Sequence, residues 1–134
     1  MERLTERLII AEKALATLKE LAGIKVPSAI ERDACIQRFE YSFEAVWKVA
    51  KRYLNVLEGV DAASPKSVIR SSMDVGLLDE SVARNALLMV DDRNLTSHTY
   101  NVDLANEIFS RIPVHVEALD IWLASMKVRI NALG

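Results

Sequence analysis

"IQRFEYSFEAVWKVAKRYL", residues 36–54, decides the fold. Within and just beyond it, Ile36, Phe39, Phe43, Val46, Ala50, Tyr53 and Leu57 recur at alternating intervals of three and four, the period of one helix face. No segment of the chain shows the period-two alternation of a half-buried strand. The stretch is therefore a long amphipathic helix, and Gly59 ends it.

The same rhythm extends outward in both directions. Toward the N-terminus, Leu4, Leu8, Ala11, Leu15, Leu18 and Ala22 form one stripe that stops at Gly23, before a loop around Pro27. Toward the C-terminus, Ser64 followed by Pro65 has the form of an N-cap with proline at the first helical position, and Val68, Ile69 and Met73 supply a short face before Gly76. Asp79 caps a fourth helix with the stripe Val82, Ala86 and Met89, after which Arg93 stands where an apolar residue is due. Asn101 or Asp103 caps the last helix, whose stripe runs from Ala105 through Phe109, Ile112, Val116, Leu119, Leu123 and Met126 to Ile130. Pro113 lies inside it and predicts a kink or brief break.

These elements predict an all-α, up-and-down bundle of four to five helices, with residues 1–134 as one domain and long antiparallel helices one, two and five as its frame. A 134-residue chain with 51% hydrophobic residues can build a substantial core. Stripes on several helices also offer more apolar surface than one small bundle buries, which predicts a homodimer.

Composition narrows the functional classes. The formal net charge is -2 and no long run of like charge occurs, so phosphate binding has to come from a local patch. The lone Cys35 excludes an internal disulfide and a multi-cysteine zinc site, and reads as a small apolar residue in a reducing compartment. Glu2, Arg3, Glu6 and Arg7 open the chain in place of a signal peptide, and no stretch approaches the ~20 apolar residues of a membrane span. A cytoplasmic location is expected. His98 and His115, the only histidines, lack the i, i+4 pairing of a helical metal site, and no phosphate loop, nucleophile elbow or dinucleotide fingerprint occurs, so neither metal nor cofactor is expected. His115 is expected to face solvent or helix two, outside any site, and Trp47 and Trp122 to anchor the core or an interface rather than to serve as base-stacking platforms.

One polar run remains: "DDRNLTSHTY", residues 91–100. On an unbroken helix Arg93 and His98 point about 140° apart, but a helix that ends within the run lets both turn toward one point. Arginine can then clamp a phosphate while histidine moves a proton beside it. The plainer alternative pairs Arg93 with Asp91, Asp92 or another acid, makes His98 a cap and puts Tyr100 in the core. On helix two, Glu44 and Lys48 form an i, i+4 pair, whereas Glu40 and Glu44 are like charges four apart that need a shared cation, for which Arg93 is one candidate.

"RNLTSHTY", residues 93–100, is an Arg, a polar residue, three further residues, His, any residue and Tyr. It resembles the signature of HEPN domains of prokaryotic toxin-antitoxin systems. "IQRFEYSFEAVWKVAKRYL" and "SPKSVIRSSMDVGLL", residues 64–78, are similar to the branch called nucleotidyltransferase substrate-binding proteins, which also includes HepT-like toxins; together the likeness spans most of residues 30–110. The resemblance implies a dimerising helical bundle encoded with a small nucleotidyltransferase that is its antitoxin or partner. For the toxin branch it implies metal-independent RNA cleavage by Arg93 and His98 of two subunits in a shared cleft, with Asn94 in support. Tyr100 would receive AMP from the partner, so its hydroxyl is expected to be exposed near His98. Arg38, Glu40 and Glu44 are expected as cleft or partner contacts. A non-catalytic adaptor of a nucleotidyltransferase is the second function the resemblance implies.

Overall fold

The computed structural model describes residues 2–133. It is built from α1 (Glu2–Ala22), α2 (Ala29–Glu58), α3 (Pro65–Asp74), α4 (Glu80–Leu95), a 3-10 turn (Thr96–His98) and α5 (Val102–Leu133), with no strand among the described residues.

Local chemistry sets the helix ends. Ser28 accepts the Glu31 N–H at 3.1 Å while the Glu31 carboxylate accepts the Ser28 N–H at 2.8 Å, a capping box that starts α2. Gly59 closes that helix at φ 67°. Asp79 caps α4 through the Val82 N–H, and of the two candidates for α5 it is Asn101 that accepts, from Leu104. After α3, Gly76 takes φ 83°, and the Leu77 and Gly76 N–H groups bond the carbonyls of Ser72 and Met73, a Schellman turn. This turn drives Leu77 and Leu78 into the core.

α5 runs without interruption through Pro113, so the expected break is absent. Pro113 sits on the exposed side, and the donor it lacks is lost next to solvent rather than inside the core. Buried Ile108, Ile112, His115 and Leu119 hold both halves to the same neighbours.

Cross-helix contacts give the directions. Lys19 meets Asp120 at 2.6 Å and Glu12 meets Lys127 at 3.3 Å, so α1 and α5 are antiparallel. Arg38 meets Glu20, and Tyr41 meets Thr17, so α1 and α2 are antiparallel as well. α2 and α5, both antiparallel to α1, therefore run parallel to each other, which corrects the expected antiparallel frame for that pair, with Arg32 beside Asn106, Phe39 beside His115 and Tyr53 beside Arg129. The order α1, α2, α4, α5 is up, down, up, down, and α3 fills the space between α2 and α4. Trp122, Tyr53, Phe39 and Phe43 are the largest buried side chains. Trp122 also donates its indole N–H to Ser72 of α3 at 3.1 Å.

Cys35 is fully buried among these side chains, and burial pushes its thiol up to about 11, against the pull of Arg38. It is a packing residue. No helix of the described residues is long and apolar enough to cross a membrane.

Candidate functional site

The polar run occupies the end of α4. Threonine hydroxyls take the carbonyls the helix leaves open: Thr96 Oγ1 donates to the Arg93 carbonyl at 2.7 Å and Thr99 Oγ1 to that of Thr96 at 3.1 Å. The α-helix stops at Leu95 and tightens into the 3-10 turn that carries His98, so the run does end the helix between Arg93 and His98.

Arg93 lies in the last turn of α4 and faces α2, where its Nε is 3.4 Å from Glu44 Oε1. The approach is an ion pair without the direction of a hydrogen bond, since that buried Nε has no hydrogen-bond partner. Both side chains are about one-third exposed (31% and 35%), which leaves the pair open to a competing anion. Glu44 is shared: its Oε2 accepts the Trp47 indole N–H at 3.2 Å and lies 3.6 Å from Lys48 Nζ. Arg93 and Lys48 thus both serve Glu44, while Glu40, half-buried, has no ion pair among the described residues, so no cation is shared by the two glutamates there. Arg38 turns to α1, donating to the Thr17 carbonyl at 2.8 Å and to Glu20 at 2.9 Å.

His98 is exposed and meets the ring of Tyr100 edge-on, with centroids 6.0 Å apart. Tyr100 is 84% exposed, which excludes a core role. Asn94 is also exposed, and its side chain makes no hydrogen bond among the described residues. No hydrogen bond within the chain joins Arg93 to His98 among those residues either.

Beneath this surface lies a cluster absent from the sequence reading. Asp92 is buried and takes a bidentate bond from Arg111, Nε at 2.8 Å and Nη2 at 2.7 Å, together with His115 Nε2 at 2.6 Å. Burial opposes ionisation of Asp92, but bonding to Arg111 and His115 outweighs it and holds the carboxyl below its ordinary value. Burial pushes His115 below its ordinary value, overriding the pull of Asp92. The neutral ring must then donate from Nε2, leaving Nδ1 as a bare lone pair, consistent with Nδ1 being buried without a partner. Of the two expected surroundings of His115, solvent is excluded and helix two holds: it is 3% exposed and stacks on Phe39 of α2 at 5.2 Å, while its Nε2 reaches Asp92 of α4. The available signal was the i, i+4 spacing of Arg111 and His115, which puts both on one face of α5.

Among the described residues no group of three or more His, Cys, Asp or Glu could hold a metal ion. The arrangement offers an arginine held loosely by one carboxylate, an exposed imidazole and an exposed phenol on one short stretch of chain.

Comparison with solved structures finds a protein of Thermus thermophilus at 57% identity and TM-score 0.85, covering 87% of this chain and 98% of that one. HI0074 of Haemophilus influenzae, described as showing the fold of a substrate binding domain of a nucleotidyltransferase, shares 23% identity at TM-score 0.77 over 90% of this chain and 98% of that one. A chain of the toxin-antitoxin pair MntA-HpeT, in mutant form, shares 14% identity at TM-score 0.78 over 96% and 99%. No curated protein matches the chain. The last two structures share its fold, and the family model "Nucleotidyltransferase substrate binding protein like" matches residues 6–128. The chain belongs to that family of nucleotidyltransferase substrate-binding-like proteins.

Proposed function

We propose that this protein is the HEPN-type member of a pair with a small nucleotidyltransferase, and that it cleaves RNA without a metal in a cleft between two subunits. The observation that carries this reading is the end of α4: Arg93 held only by a directionless ion pair, and His98 and Tyr100 exposed beside each other. In this reading His98 takes the proton of the ribose 2′-hydroxyl or gives one to the leaving oxygen, and Arg93 stabilises the charge gathering on the phosphoryl oxygens. Asn94 orients one of them. The partner nucleotidyltransferase transfers AMP from ATP to the Tyr100 hydroxyl: the phenol oxygen bonds the α-phosphorus, pyrophosphate leaves and the phenol proton is lost, which adds bulk and negative charge beside His98 and bars RNA. The likeness to a toxin-antitoxin chain supports the pairing.

The test is RNA cleavage by purified protein in chelator, with intact mass read to detect AMP on Tyr100. Wild type free of AMP cuts RNA, and His98→Ala, a change at an exposed position, abolishes cutting while leaving thermal stability unchanged. Intact RNA with unmodified wild type removes the ribonuclease reading.

A second reading is a non-catalytic adaptor that presents a substrate to the nucleotidyltransferase. One observation favours it: Glu44 already neutralises Arg93. Glu44→Gln separates the two, because freeing Arg93 raises RNA cleavage or affinity if Arg93 is a phosphate clamp and changes neither if the pair is structural.

A further inference from the structure

Among the described residues, ten lysines and arginines are tied into ion pairs. Arg3, Arg7, Lys51 and Arg52 are among those with none among the described residues, and these four lie together. A groove of about 400 Å³ between the start of α1 and the middle of α2 is lined by Arg3, Arg7 and Lys48. A second of about 390 Å³ is lined by Arg7, Trp47, Lys48, Lys51 and Arg52. Sharing Arg7 and Lys48, the two form one track. The acids that line it are Glu6 and Asp61, with Glu44 beside Lys48 and Trp47, against Arg3, Arg7, Lys48, Lys51 and Arg52, so the track is positive within a chain whose net charge is -2.

We infer that this track binds single-stranded RNA, with its cations on successive phosphates and Trp47 as the stacking platform for a base. Clustering unpaired cations costs self-repulsion that an anion relieves. Lys48 and Arg52, like Arg3 and Arg7, are one helical turn apart, about 6 Å along the axis, a spacing that suits successive phosphates of an extended strand. A tryptophan between arginines and lysines matches the combination by which proteins hold single strands without reading their sequence. Trp47 is half-buried, with its indole N–H fixed by Glu44, and Glu44 in turn holds Arg93. Glu44 thus links Trp47 of the track to Arg93 at the end of α4. The inference rests on the RNA reading of that site but adds a separate binding surface on α1 and α2.

The experiment uses full-length protein carrying His98→Ala, so that RNA survives, and fluorescence anisotropy with a labelled oligo(U) between roughly 50 and 200 mM salt. Arg7→Ala/Lys51→Ala/Arg52→Ala is compared with Lys13→Ala/Lys25→Ala/Arg70→Ala, which removes the same charge from exposed cations outside both grooves. The groove variant binds at least tenfold more weakly, and its salt slope flattens by about 2, from about 0.7 for each of three lost phosphate contacts. The control variant shifts binding less than threefold. RNA quenches the emission of wild type, and Trp47→Phe loses this quenching. Equal behaviour of the two triple variants overturns the inference, as does a groove variant that keeps RNA binding but releases the nucleotidyltransferase, which marks the track as a docking surface for an acidic protein. Cleavage by the native-His98 protein is scored separately. Groove-dependent binding without cleavage removes the ribonuclease and keeps the track, and cleavage with groove-independent binding does the reverse.

Discussion

Asp92 and Arg93 are neighbours with opposite duties. Asp92 goes inward to Arg111 and His115, and Arg93 goes to Glu44. Asp92→Ala leaves the His115 N–H buried without an acceptor and costs about 1–3 kcal/mol, measured by urea denaturation; Arg111, 43% exposed, recovers water and adds little. The pH dependence has a definite sign. His115 is lowered in the fold, so the unfolded chain binds the proton more readily, and stability is full above the unfolded value near 6.5 and falls as pH drops below it. Asp92 is lowered too, and its contribution is lost in a second window as pH falls through 3.8 and below. Between pH 7 and 5 the urea midpoint of wild type therefore declines, and His115→Gln, which keeps a donor for Asp92 but does not titrate, removes most of that slope. An unchanged slope in the variant would show that His115 is not the titrating group. Residue types and motif spacing singled out Arg93, His98 and Tyr100 in the sequence, and the pairing of Arg93 with Glu44 was one of the options they left. The Asp92 cluster was not legible, because "DDRN" gives no sign of which acid turns inward until α5 is laid against α4.

At the level of elements, the caps carried most of the legible information. Ser64, Asp79 and Gly59 sit where a side-chain acceptor or a left-handed backbone is required, whereas the Ser28 cap of α2 reads in the sequence only as part of the loop around Pro27. Gly76 is the most exacting of these positions: at φ 83° any side chain is strained, and a Cβ there would stand 3.2 Å from Arg129 Nη2. Gly76→Ala is expected to cost about 1–2 kcal/mol and lower Tm by roughly 3–6 °C, read by calorimetry, with the helical signal retained. At Pro113, of the expected kink or break, the break does not occur. Sequence alone gives the missing donor but not the side of the helix it falls on, and on the exposed side of α5 packing outweighs the loss.

For the whole molecule, helical periodicity made the up-and-down bundle legible, but not that α2 and α5 of its frame run parallel to each other, which depends on side chains that lie far apart along the chain. The same limit applies to assembly. Leu88 and Leu95 lie seven residues apart on one exposed stripe of α4, at 58% and 38% exposure. We place the proposed subunit contact there, next to the His98 turn. Leu88→Glu/Leu95→Glu then halves the mass seen by sedimentation equilibrium and abolishes RNA cleavage with it; a variant that keeps the wild-type mass removes this face as the contact. The two clasps at residues 92 and 93 have a mechanical consequence. Successive residues stand about 100° apart around a helix, so α4 is pinned at two azimuths, to α5 on one side and α2 on the other. With Ala83, Ala86, Met89 and Val90 already seated in the core, the two clasps add a lock against rolling, and the turn that follows inherits a fixed heading. Salt loosens the outer clasp far more than the buried one, so rising ionic strength frees the Arg93 guanidinium first and leaves the Asp92 anchor in place.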